Sequence, residues 1–217
     1  NNFLHFLMAD KMPEFTVDID AIKGFLDPQE GWALYDRCLA AGELGPTLEI
    51  GSYCGKSTVY LGEACRISGR SLFAVDHHRG SEEHQPGEFY HDPELFDSAS
   101  GLVDTFRLFR QTLRAAGLEQ VVVPIVAATQ VAARDWSTPL GMVFIDGGHS
   151  FDAAQADYDC WAPHVRVGGI LAIHDIFPNP NDGGQAPYSI WQQAIASGLF
   201  EDLGIVRTLG VLRRKDG

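Results

Sequence analysis

Five apolar runs constrain this chain more than any other feature. They are "PTLEIGS" (46–52), "RSLFAVD" (70–76), "VVVPIVAA" (121–128), "MVFIDGG" (142–148) and "GGILAIHD" (168–175). Each is nearly continuous in hydrophobicity, as a strand covered on both faces must be. Helix-spaced segments separate them: 27–44, 56–68, the stretch "SGLVDTFRLFRQTLRAAGL", 150–165 and 188–200. Buried strands joined by helices return in parallel. The expectation is an α/β, Rossmann-like three-layer sandwich with a mostly parallel seven-stranded sheet. The segments in "LGIVRTLGVLRR" lie close enough in sequence for the final strand to run antiparallel. No repeat or low-complexity linker interrupts the pattern, so residues 1–217 read as one domain. Residues 1–26 form an N-terminal extension, in which Met8 or Met12 is a candidate native start.

In such sheets ligands bind beyond the carboxyl ends of the strands, where the strand order reverses. Gly51, Asp76, Asp146 and Asp175 all fall at or just past expected strand ends. The bend "EIGSYCGKST" (49–58) first invites comparison with a phosphate loop. A Walker loop has four residues between its first glycine and Gly-Lys-[Ser/Thr], whereas "GSYCGKS" has three. A nest of backbone N–H groups depends on loop length, so triphosphate binding is disfavoured. The dinucleotide fingerprint fails as well, because Ser52-Tyr53 stands where its second glycine belongs. What remains suits a cofactor with an amino acid end and no phosphates. Gly51 allows close backbone approach, Gly55 close helix contact, and Glu49 a positive group. Ser52, Tyr53 and Ser57 complete the bend as candidate contacts. Asp76 follows Gly51 by 25 residues, where an acid accepts ribose hydroxyls. An adenosyl cofactor is expected, with Ala128 and Thr129 beside its adenine.

Asp146 and Asp175 project from adjacent strand ends into the same rim. Two hard oxygen ligands suit Mg²⁺ or Mn²⁺. His149, three residues past Asp146 and after two glycines, can turn towards the same pocket and remove a proton from an alcohol. Residues 77–97 are polar and rich in His and acids, and read as a long loop over one end of the sheet. The aromatics Phe89, Tyr90, Phe177 and Tyr188, with Pro178 and Pro180, are placed by location to form a sugar platform.

"LEIGSYCGKST" and "FAVD" resemble the first motif and second-strand acid of the class I S-adenosylmethionine-dependent methyltransferases. The block "MVFIDGGHSFDAAQADYDCWAPHVRVGGILAIHD" is similar to the metal-dependent O-methyltransferases of natural-product sugars, such as the macrocin and mycinamicin enzymes. The same block also resembles the 1-O-methyltransferase of methylmannose polysaccharide synthesis, though no motif singles that enzyme out. The resemblance implies S-adenosylmethionine as cofactor, transfer to a sugar hydroxyl, His149 as general base, and Mg²⁺ held by Asp146 and an acidic pair after the fifth strand. Asp146 then borders the cofactor too. Here the first member of that pair is His174. Either it ligates, which favours Mn²⁺, or it only flanks the site. The alternatives are a phenol or catechol acceptor, a Mg²⁺-dependent nucleotide phosphate enzyme, or a non-catalytic binding protein.

A net charge of −13 repels phosphate backbones, which argues against nucleic acid or an anionic membrane as partner. A small hydroxylated acceptor fits better; a homo-oligomer is a further candidate on which the charge is silent. The four cysteines, Cys38, Cys54, Cys65 and Cys160, lack ligand spacing and read as reduced packing residues of a cytoplasmic protein. The opening stretch has neither a basic n-region nor a cleavage site, so it is not read as a secretion signal.

Overall fold

A computed structural model describes residues 13–88 and 90–216; Met8, Met12 and Phe89 lie outside them. Helix α1 (Pro28–Ala41) is followed by β1 (Thr47–Ile50), α2 (Lys56–Ser68) and β2 (Leu72–Val75). A two-stranded ribbon, β3 (Phe96–Asp97) and β4 (Leu102–Val103), precedes α3 (Phe106–Ala115), β5 (Val122–Ile125) and α4 (Thr129–Ala133). Then come β6 (Leu140–Ile145), α5 (Phe151–Trp161), β7 (Val165–Ile173), α6 (Ala186–Ala196), β8 (Phe200–Val206) and β9 (Leu209–Arg214).

The main sheet has seven strands in the order β5-β2-β1-β6-β7-β9-β8. The first five are parallel, and β9 pairs antiparallel with both β7 and β8. The order reverses between β1 and β6, which places the switch point there.

Alternation explains the continuous apolar runs. Met142, Phe144, Ile170 and Ala172 pack with Leu61 and Phe109 on the face covered by α1, α2 and α3. Their neighbours Val143, Ile145, Leu171 and Ile173 pack with Trp161 and Ile190 on the face covered by α5 and α6. Both faces of each strand therefore need apolar side chains.

Local signals set the helix ends. Asp27 caps α1 with a capping box completed by Glu30, and Pro28 takes the first helical position. Gly55 and Gly69, both left-handed, bracket α2. The third expected helix is shorter than "SGLVDTFRLFRQTLRAAGL" suggests, because Leu102 and Val103 pair in the ribbon and Asp104 accepts the Phe106 N–H at 2.9 Å. The expected long loop is partly ordered by this ribbon. Leu95 and Val103 dock it on Cys54 of the glycine bend.

Candidate active site

The register brings four strand ends level. Gly51 N–H donates to Val75 O at 3.0 Å, Asp76 to Ile125 O at 3.1 Å, Asp146 to Ile50 O at 2.9 Å, and His174 to Ile145 O at 3.0 Å. Each bond extends the parallel ladder by one step, so these residues share one rim of the sheet. A crevice of about 780 Å³ opens there. Of the residues expected from sequence, Gly51, Ser52, Tyr53, Ser57, Asp76, Ala128, Thr129, Asp146, His149, His174 and Asp175 line it.

Gly51 has φ +86°, and a Cβ on it would lie 1.9 Å from Asp146 O. Its first consequence is the close approach of β1 and β6. Tyr53, also left-handed at φ +49°, donates its N–H to Asp76 Oδ2 at 2.9 Å. His78 N–H donates to Asp76 Oδ1 at 2.7 Å. Each carboxylate oxygen is thus anchored by one backbone donor and keeps acceptor capacity for a hydroxyl.

Two expected cofactor contacts stand elsewhere. Glu49 is fully buried, and its carboxylate accepts from Ser57 and, at 2.7 Å, from Thr58, both in the first turn of α2. Strand alternation turns it into the core, away from the crevice. Burial pushes its pKa up to about 7 against the pull of those hydroxyls. Gly55 faces Thr112 and Phe109 and does not line the crevice; its left-handed φ of +94° begins α2.

Beyond β6 and β7 the acids and imidazoles form a chain. His149 Nε2 lies 3.0 Å from Asp175 Oδ2. His174 Nδ1 lies 3.2 Å from Asp146 Oδ1 and 3.5 Å from Asp175 Oδ2. His174 Nε2 lies 2.8 Å from Glu30 Oε2. Burial alone would lower the His174 pKa, but Asp146, Asp175 and Glu30 outweigh it and hold the ring protonated. Burial likewise raises Asp175, while His149 and His174 pull it well below the usual carboxylate range. Both ring nitrogens of His174 therefore face carboxylates. His174 thus bridges Glu30 to the two aspartates at the floor of the site.

Glu30 was not foreseen as part of this chain. Its Oε1 accepts from Thr208 N–H and Oγ1, both at 2.8 Å, and its Oε2 accepts from Asp27 N–H at 3.1 Å as well as from His174. The spacing Asp27-Pro-Gln-Glu30 signals a capping box, yet nothing local announces the bond to His174.

One trio on this rim has the spacing of a candidate cation site. Asp146, His149 and Asp175 each offer one ligand atom, and these atoms lie within 4.8 Å of one another. Two oxygens and one imidazole nitrogen form a harder-to-intermediate donor set, which suits Mn²⁺ or another first-row ion at least as well as Mg²⁺. Two of these three residues, Asp146 and Asp175, also face His174 Nδ1.

The mouth of the crevice is aromatic. Phe25 meets Tyr90 edge-on with ring centroids 5.2 Å apart, and Tyr53 lies 5.1 Å from His84. Lys23 ties the segment before α1 to Asp92 and, at 2.7 Å, to Glu94. Phe177 also lines the crevice, whereas Tyr188 stacks on Trp191 and is absent from its wall. His78, expected in the polar lid, is buried with Nδ1 2.7 Å from Thr105 Oγ1.

A sheet doubly wound in this order, with an anchored acid after β2 and a glycine bend after β1, defines the class I methyltransferase fold. The chain belongs to the methyltransferase domain family, whose model matches residues 48–176, more than half its length. Similar solved structures include the O-methyltransferase NovP, 16% identical over 87% of this chain and 80% of that one, with a TM-score of 0.65. An O-methyltransferase from Bacillus cereus in complex with S-adenosylhomocysteine (SAH) is 16% identical, covering 88% and 83%, with a TM-score of 0.60. The apo TDP-rhamnose 3'-O-methyltransferase CalS11, of calicheamicin biosynthesis, is 14% identical over 88% and 82%, also at 0.60.

Proposed function

We propose that this protein transfers the methyl group of S-adenosylmethionine to a hydroxyl of a sugar or glycosylated small molecule, with help from a divalent cation. The observation that carries the reading is convergence: the anchored carboxylate of Asp76 and the His149–Asp175 pair line one crevice. The fold likeness to NovP supports O-methylation, and the likeness to the TDP-rhamnose enzyme supports a sugar acceptor.

S-adenosylmethionine supplies an electrophilic methyl on sulfonium, and a divalent cation supplies a Lewis acid for the acceptor oxygen. The chain's own residues do the rest. Asp76 receives ribose hydroxyls, with Ala128 and Thr129 at the adenine edge and Ser52 and Tyr53 towards the amino acid end. Asp146 and Asp175 hold the cation. Asp175 also fixes the His149 ring through Nε2, and the imidazole takes the hydroxyl proton. Phe25, Tyr53, His84 and Tyr90 give the acceptor ring a face to stack against. Positioning and deprotonation then supply most of the acceleration.

A second reading has its own observation. Because His149 belongs to the ligand trio, it can serve as the third ligand instead of the base. A phenolic acceptor shares the same geometry and differs only in the substrate screen.

The test is a screen of pooled sugars and phenols with radiolabelled methyl donor, with and without Mg²⁺ or Mn²⁺. Labelled, ion-dependent sugar product is expected. A thermal-shift comparison accompanies it, in which SAH raises the melting temperature and ATP does not. Stabilisation by ATP alone would sink the proposal.

A further inference from the structure

Asp157 has no role in the chemistry outlined so far. It is 4% exposed, yet it lines the crevice beside Ala153 and Ala156 on the same face of α5. Its Oδ2 fills the space in front of Gly147, where a Cβ would lie only 2.3 Å from that oxygen. The Thr129 hydroxyl stands next to it and is itself fixed by accepting from Trp161 Nε1 at 2.6 Å. Asp157 is therefore wedged between the segment after β5 and the segment after β6.

Among the described residues no basic group offsets this carboxylate. Burial, the Thr129 hydroxyl and the like charge of Asp76 are the influences acting on it, and burial is the largest. A carboxylate buried without a cation is costly unless donors reach it. One hydroxyl satisfies a small part of its acceptor capacity. Because the side chain borders the crevice, the remaining donors can come from a ligand. Asp76 is close enough for its charge to be felt, and it is the residue that holds the ribose. A base attached to that ribose and lying against Thr129 and Gly147 comes within reach of Asp157.

We propose that Asp157 accepts a hydrogen bond from the exocyclic amine of a 6-aminopurine and so selects adenine over a 6-oxopurine. This rests on the adenosyl cofactor reading above and deepens it. A 6-oxopurine presents a carbonyl oxygen where the amine stood, and two acceptors then face each other. Discrimination arises from the acid itself, because a site built around a donor rejects the analogue lacking it.

Calorimetric titration at neutral pH with SAH and S-inosylhomocysteine tests the proposal, on the wild type and on Asp157→Asn. The wild type should prefer SAH by about 10- to 100-fold, the range for hydrogen bonds to a charged group. Asn can donate its amide to a carbonyl, so Asp157→Asn should weaken SAH and move the preference towards unity or beyond it. A residue that merely supported α5 would weaken both ligands equally. Unchanged preference in the variant would overturn the role of Asp157 and leave the cofactor reading intact. If the variant does not fold, the wild-type ratio decides, and a ratio near one overturns the proposal. Failure of the wild type to bind SAH at all would overturn the cofactor reading and this inference with it.

Discussion

Replacing Glu49 by Gln separates a structural acid from a cofactor ligand. The side chain is fully buried and engaged with Ser57 and Thr58, so its hydrogen bonds serve α2 and not a ligand in the crevice. Its pKa is raised from the ordinary 4.5 to about 7 in the folded protein. Between those values the native state holds more protons than the unfolded chain, so stability falls as pH rises through this window. A difference of roughly 2.5 units corresponds to about 3 kcal/mol, taken as an order of magnitude. Glutamine does not titrate and therefore lacks this loss. Melting curves of wild type and Glu49→Gln at pH 4.5 and pH 8 isolate the effect, because other groups titrate equally in both proteins. The wild type should lose about 6 to 12 °C relative to the variant across that range. SAH affinity at pH 8 should stay within about threefold, a change too small for a lost charged hydrogen bond. A well-folded variant with affinity down more than about tenfold, or parallel pH profiles in the two proteins, would refute the reasoning.

Three further outcomes are expected. His149→Ala should lower turnover by about 10²- to 10⁴-fold while SAH affinity holds; Mn²⁺ binding followed by electron paramagnetic resonance then separates base from ligand, since a ligand's loss weakens the ion as well. Full turnover in that variant would remove His149 from the chemistry. Gly51→Ala forces a methyl group into the Asp146 carbonyl at a left-handed φ, so denaturant unfolding should show roughly 3 kcal/mol or more of destabilisation. Glu30→Ala leaves the buried His174 imidazolium without one of its partners and should cost about 3 to 5 kcal/mol by the same measurement, with a loss below about 1 kcal/mol contradicting the buried pair.

Much of the scaffold was legible because its signals are local. Helix α2 runs from Lys56 to Ser68, as read from the sequence, since Gly55 and Gly69 bracket it. The strand-end positions of Gly51, Asp76 and Asp146 follow from where apolar runs stop. The surroundings of Glu49 were not legible for an equally local reason: an acid at a strand's end looks available to a ligand, while the pleat turns this one inward. Its pairing with Ser57 and Thr58 becomes visible only once α2 lies against β1. The ribbon of residues 96–103 was missed because it is short and lacks periodicity.

The sequence by itself determined the alternation of strand and helix, the parallel sheet and the rim on which polar residues gather. Short-range periodicity and turn chemistry carry that information. Only the tertiary structure decided what those residues touch. Glu30 meets His174 across 144 positions, Asp157 reaches the crevice from the covering helix α5, and His149 comes beside the two aspartates. The physical reason is that a side chain's charge state and free lone pairs depend on neighbours brought by packing, and no spacing along the chain records which ones arrive.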